Sequence, residues 1–281
     1  MKKKCLIYVV AYNHENFILD TLNKIPKQLS SRYNVEILVA DDFSSDQTIK
    51  IAKKFNPKKF KFKIHSHKKN LGYGGNQKIG YFYAIKNKFE YVVLLHGDGQ
   101  YAPEFLPKIL KTLEKKEYAA VFGSRMIKKS SALSGGMPYY KFVGNIVLTC
   151  IQNFLLKTKL SEFHSGYRAY KVDCLKKILF ELNSNDYCFD TEIIIQIILS
   201  KMKIKEIAIP TFYGDEISYV NGLKYAIQIV YQTFKGKLYL LKMINDYKFL
   251  SFNIKKFKEI KLKFSFLMKK KFNFIDNIKI K

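Results

Sequence analysis

Two oxygen-bearing side chains, Asp98 and Gln100, stand two residues apart just after an uninterrupted apolar run at 91–95. A small hard cation such as Mg2+ or Mn2+ takes few ligands from protein and completes its shell with water and substrate phosphates. On an extended segment, Asp98 and Gln100 present two such oxygens from one side. The flanking glycines, Gly97 and Gly99, let a diphosphate approach the backbone closely. The plain alternative is a β-turn carrying an exposed Asp, which any Asp-Gly pair suggests.

Three further clusters are candidates for the same site. Asp41-Asp42-Phe43-Ser44-Ser45-Asp46 follows a β-type run and opens a helix. Ser45 or Asp46 suffices as a cap, so a second carboxylate is left to accept hydrogen bonds from a base or ribose. Asn70-Leu71-Gly72-Tyr73-Gly74-Gly75 is a glycine-rich loop before a helix, either a tight turn or a phosphate cradle. Asp190 and Glu192 are general-base candidates, or simply acids that complement the dipole of a helix at 190–200.

These clusters need a scaffold that brings them together. Apolar β-type runs at 5–11, 35–40, 60–65, 91–95 and 119–122 alternate with amphipathic stretches at 16–29, 47–55, 76–86 and 103–115. That alternation predicts βαβ units and an α/β fold with a mostly parallel, Rossmann-like sheet flanked by helices. In such sheets ligands bind beyond the carboxyl ends of the strands. Tyr12-Asn13, Asp41-Asp42, His96 to Gln100 and Ser124-Arg125 all fall there. Further on, a mobile loop is expected at 128–136, helices at 142–157, 172–181 and 190–200, a polar turn at 161–168 and a strand at 204–212.

The chain has 281 residues and a formal charge of +27, from 47 Lys and only three Arg against 23 acids. The excess suggests a Lys-favouring composition more than a nucleic-acid surface, because Lys is spread throughout while acids converge at the sheet edge. Lys replaces Arg poorly where a planar fork is needed. Two of the three arginines, Arg125 and Arg168, lie inside motifs, so geometry is expected to matter there. The four cysteines form no CxxC pair, and no run reaches the roughly 20 apolar residues of a membrane span. A cytoplasmic protein is the expectation.

At this point the motifs resemble the family 2 glycosyltransferases of the GT-A fold, especially the branch of dolichyl- and polyprenyl-phosphate sugar transferases. The matching residues, in order over 4–222, are Val10-Ala11-Tyr12-Asn13, Asp41-Asp42-x-Ser44-x-Asp46-x-Thr48, Asn70-x-Gly72, Asp98-x-Gln100, Gly123-Ser124-Arg125, Ser165-Gly166-Tyr167-Arg168 and Phe189-Asp190-x-Glu192. The resemblance implies that Tyr12, Asn13 and Asp42, with Asp41, Asn70 and Gly72, serve the nucleotide sugar. It implies that Asp98 and Gln100 hold Mg2+ or Mn2+, and that Arg125 and Arg168 face a diphosphate or the acceptor's phosphate. Two departures stand out. The family usually has Asp-x-Asp-x-Gln, and the first Asp is His96 here, so His96 either ligates the metal or contacts ribose or phosphate. Glu162 stands where an Asp is common.

The implied reaction is in-line displacement at the anomeric carbon with inversion, with Asp98, Asp190 and Arg168 as the catalytic candidates. A polyprenyl-phosphate acceptor is already anionic; a saccharide hydroxyl would need Asp190, or second Glu192, as base. Residues 1–222 are expected to form the transferase domain, and 223–281 a basic, amphipathic, helical extension. That extension carries 15 Lys against three acids, which suits peripheral contact with an anionic membrane. Rival classes are a nucleic-acid-binding protein and a nucleotidyltransferase. The second would want a basic glycine loop near the N-terminus, where Tyr12-Asn13-His14-Glu15 stands instead.

Overall fold

A strand that is apolar at every successive position needs a covering layer on both faces. The computed structural model, which describes residues 2–214, 221–250 and 255–272, places such a run, residues 5–11 of β1 (Lys3–Ala11), inside a seven-stranded sheet. The others are β2 (Tyr33–Asp41), β3 (Lys61–Ser66), β4 (Tyr91–His96), β5 (Tyr118–Ser124), β6 (Arg168–Lys171) and β7 (Lys203–Ala208). Their order is β3-β2-β1-β4-β6-β5-β7, with only β6 antiparallel to its neighbours.

Alternate side chains of β1 feed two separate cores. Cys5, Ile7 and Val9 join α1 (Ile18–Asn23), α2 (Leu29–Arg32), α3 (Thr48–Ala52) and α5 (Leu106–Leu113) on one face. Leu6, Tyr8 and Val10 join α4 (Tyr73–Lys86), α8 (Val172–Lys176) and α9 (Phe189–Leu199) on the other. Burying each such aliphatic side chain contributes roughly 1.5–3 kcal/mol, so a one-residue slip, which reverses every side chain, is strongly disfavoured. The resulting register sets Ala11 opposite Asp41, Val10 opposite His96, and Asp41 opposite Ser66. Four strand ends therefore present their polar residues along one edge.

Two expectations are corrected. The stretch at 129–134 forms a short helix, α6 (Lys129–Ser134), where a loop was expected. The polar turn ends in a strand: β6 pairs Arg168 with both Leu94 and Phe122, which carries that arginine to the same sheet edge. Beyond it, α7 (Tyr139–Leu156) and α10 (Gly222–Leu240) pack on each other, and α10 also packs on α9. Residues 251–254 and 273–281 of the expected extension lie outside the described residues, as do 215–220 of the turn before Asn221. α11 (Lys255–Phe272) returns to the body through buried Phe257 and a Lys261–Glu181 ion pair.

Candidate active site

The β1 and β2 ends are stitched into one rigid rim. Asn13, at φ 56°, donates its N–H to the Ser44 hydroxyl at 2.9 Å, and its Oδ1 accepts from Ser45 N at 2.9 Å. Asp41 is fully buried and accepts from Ser44 N and from the Ser66 hydroxyl, each at 3.1 Å. The N-cap position of α3 is Gln47, not the expected Ser45 or Asp46; Asp46 instead accepts Thr48 N at 2.9 Å and Glu15 N at 3.0 Å. Asp42 accepts Leu71 N at 2.7 Å; burial pushes its carboxyl up, against the pull of Leu71, His67 and Gly72. Tyr12 is half-buried beside them. Within this rim Asn13 and Asp41 shape the loops with the polar atoms expected to meet a nucleoside.

The glycine loop has a different use from a phosphate cradle. Gly74 N and Gly75 N donate to the Asn185 carbonyl at 2.8 and 3.2 Å, so the α4 N-terminus is already satisfied. A Cβ at Gly74 would lie 2.6 Å from both Phe189 Cβ and Ser184 O. The glycines thus permit close packing of α4 on the loop before α9, and Asn70 closes the turn by accepting Gly72 N at 2.9 Å.

The half-buried turn after β4 carries the candidate metal ligands. Asp98 Oδ1 accepts Gln100 N at 3.0 Å, and Oδ2 lies 3.8 Å from His96 Nδ1. Burial favours the protonated carboxyl, but His96, His14 and the Gln100 amide outweigh it and hold Asp98 below its ordinary value. His14 contributes a buried Nδ1 that has no hydrogen-bond partner, against Gly97. Burial lowers its pKa, so it is a neutral imidazole at neutral pH. These donors fit a divalent cation: the Asp98 carboxylate, the open Nδ1 of His14 and glycine-opened backbone. Among the described residues no three acidic, His or Cys side chains form a metal-binding group.

Both arginines depart from the expectation that they face a diphosphate. Arg125 donates through Nε to Glu162 at 2.8 Å, and further to Tyr213 Oη at 3.0 Å and His164 O at 3.1 Å. Glu162 also takes Arg125 N at 2.7 Å and Asn145 Nδ2 at 2.8 Å, and the guanidinium keeps it ionised despite full burial. Arg168 is 1% exposed and donates to the carbonyls of Ser165, Asp190 and Phe163 at 2.8, 3.0 and 2.7 Å. The geometric need anticipated for arginine is real, but it is met by buried protein acceptors.

Asp190 is equally engaged. Its Oδ2 accepts the Tyr73 hydroxyl at 2.9 Å and lies 3.4 Å from Arg168; its Oδ1 accepts Gln77 Nε2 at 3.0 Å. Glu192, the second base candidate, points away from the site and holds Ser184 and Lys248. Tyr73 is the residue that sequence reasoning missed. Its hydroxyl bridges Asp190 and His96 Nε2, the latter at 3.2 Å, and its ring stacks on Tyr187 at 5.2 Å. A tyrosine inside a glycine loop was the only signal.

Comparison with known proteins accords with this geometry. The chain matches glycosyl transferase family 2 over residues 6–179. The UDP-N-acetylglucosamine–dolichyl-phosphate N-acetylglucosaminyltransferase of Methanococcus voltae is 30% identical over 255 residues, 85% of this chain and 96% of that protein. The polyprenol monophosphomannose synthase of Mycolicibacterium smegmatis is 27% identical over 187 residues, 65% and 68% respectively. Among solved structures, Mycobacterium tuberculosis glucosyl-3-phosphoglycerate synthase with Mn2+, UDP and glucosyl-3-phosphoglycerate shares the fold. That likeness has a TM-score of 0.57 and 14% identity, over 87% of this chain and 82% of that one.

Proposed function

Since the chain belongs to glycosyl transferase family 2, and within it to the polyprenyl-phosphate sugar transferase branch, we propose that it moves a sugar from a UDP- or GDP-linked donor to a polyprenyl phosphate, inverting the anomeric centre. The observation that carries this reading is Asp98, an ionised carboxylate at the convergent strand ends, on a glycine-flanked turn. Asp98 and Gln100 would hold Mg2+ or Mn2+, which when bound neutralises charge on the departing nucleoside diphosphate. The M. tuberculosis structures with Mn2+ or Mg2+ and UDP support that cofactor class.

The chain's own residues divide the remaining work. Tyr12 and Asp42 line the rim where the nucleoside sits, and Asn13, Asp41, Asn70 and Gly72 hold that rim in shape. Arg125 and Arg168 act as buried supports. Asp190 positions Tyr73 and His96. Its two oxygens accept Gln77 and Tyr73 and face buried Arg168, which ties Asp190 into the wall of the site. A phosphate oxygen arrives as an anion and needs no base, which favours the lipid acceptor.

The surface supports the same choice. On α7, Tyr140, Val147 and Phe154 recur every seven residues and are exposed, Phe154 to 83%; on α10, Ile227, Tyr231 and Phe234 are exposed. Two packed helices with outward apolar stripes suit peripheral contact with a bilayer. This adds α7 to the expected membrane face of the 223–281 extension, in which α10 lies and whose Lys235, Lys248 and Lys261 pair with Asp246, Glu192 and Glu181. Among the described residues no helix is long and apolar enough to cross a membrane.

The test is a screen of radiolabelled UDP- and GDP-sugars with Mg2+ or Mn2+, with and without polyprenyl phosphate. Label is expected in the organic-extractable lipid. Label appearing only in a water-soluble saccharide would refute the acceptor assignment.

A further inference from the structure

His96 occupies a more constrained setting than a loop histidine needs. Its ring meets Tyr73 and Tyr101 edge-on, at 5.5 and 5.1 Å. A Cβ at position 166 would fall 2.4 Å from His96 Nε2, so only glycine there lets the ring sit as it does. Gly166 N in turn donates to Tyr101 Oη at 2.8 Å, which ties the two walls together.

The hydrogen bonds also decide which ring nitrogen carries the proton. The Asp190 carboxylate takes donors from Gln77 and Tyr73 and faces Arg168, so it acts as an acceptor. The Tyr73 hydroxyl has one proton, and it points to Asp190. Its lone pairs are then offered to His96 Nε2 at 3.2 Å, which places the ring proton on Nε2. The in-plane lone pair of Nδ1 is left facing Asp98 Oδ2 at 3.8 Å. That separation is too long for a hydrogen bond, yet two ligand bonds of about 2 Å to a shared ion span up to about 4 Å. A metal-ligating histidine characteristically donates its other ring N–H to a carboxylate or to a group tied to one.

We propose that His96 Nδ1 is a nitrogen ligand to the divalent cation beside Asp98, oriented by Tyr73 and Asp190, and that it makes the site prefer Mn2+ over Mg2+. Imidazole suits first-row transition ions, whereas Mg2+ favours oxygen. The proposal rests on the metal reading of Asp98. Tyr73 and Asp190 are positioning residues in it, since they act through His96.

The test uses the full chain with Mn2+ and UDP, read by pulsed electron paramagnetic resonance and by Mn2+ and Mg2+ titration. Bound Mn2+ should show a 14N coupling in the wild type that disappears in His96→Ala. His96→Asp should bind both ions and narrow the Mn2+/Mg2+ affinity ratio about tenfold, while Tyr73→Phe should weaken Mn2+ binding by roughly 10-fold or more. Wild-type Mn2+ without 14N coupling would overturn the proposal and needs no variant to fold. An unchanged ratio in His96→Asp would overturn it as well. The underlying reading fails separately: full Mn2+ affinity in Asp98→Ala removes the site itself, whereas lost affinity in Asp98→Ala beside intact affinity in His96→Ala removes only the nitrogen ligand.

Discussion

The two sides of the sheet's carboxyl edge handle charge in opposite ways. At the β4 turn, Asp98 stands at the rim with few protein partners, its carboxyl held below its ordinary value. At the β5–β6 side, Arg125 and Glu162 form one buried pair, and Arg168 and Asp190 form another, each closed by backbone and side-chain partners. The first arrangement leaves ligand capacity for substrate and cation. The second uses the same chemistry to lock loops 161–168 and 184–190 behind the site. Rare residue types therefore mark geometric need, but burial decides whether that need is substrate binding or support.

The largest effect is expected at the buried side. Arg168→Met leaves Asp190 and three carbonyls without their donor and should cost about 3–5 kcal/mol of stability, read as a lowered denaturant midpoint. A change within 1 kcal/mol would show that the arginine is not a structural support.

A smaller contrast separates the two glycine turns. Gly74→Ala drives a Cβ into Phe189 and the Ser184 carbonyl and should destabilise by roughly 1–3 kcal/mol. Gly99→Ala meets nothing closer than 3.6 Å, so its cost is the left-handed φ of +77° alone, about 1 kcal/mol. Paired melting curves check the order; a reversed order would mean that the loop before α9 gives way easily.

A further contrast concerns acid. Burial holds His164 and His65 at about 4, against an ordinary 6.5, and His164 is bonded to Tyr225 Oη at 2.8 Å. The unfolded chain takes up these protons below pH 6.5, whereas the folded chain resists until about pH 4. Stability should thus be complete above pH 6.5 and decline as pH falls through that window. Urea midpoints at pH 7 and pH 5 measure it, and His164→Gln should flatten the slope. Equal midpoints in the wild type would contradict the assignment.

The sheet was legible because β1 and β4 carry continuous apolar runs at 5–11 and 91–95, and β2 is apolar from Ile37 to Ala40. β6 escaped notice because it has only four residues, begins with a charge and pairs antiparallel. The convergence of Tyr12, Asp42, His96 and Asp98 followed from strand ends alone. The fate of Arg125 and Arg168 did not, since most of their acceptors are backbone carbonyls and a glutamate 37 residues away. Tyr73 was invisible for a related reason: its role depends on α4 docking beside α9, a long-range contact with no local pattern.

The central claim is that Asp98 carries the metal-dependent step on an otherwise intact scaffold. Its most direct test compares wild type and Asp98→Ala for nucleotide release with Mn2+, donor sugar and polyprenyl phosphate, alongside thermal melting. Turnover is expected to fall to background while the melting temperature is unchanged. Turnover that survives the substitution at the wild-type rate would contradict it.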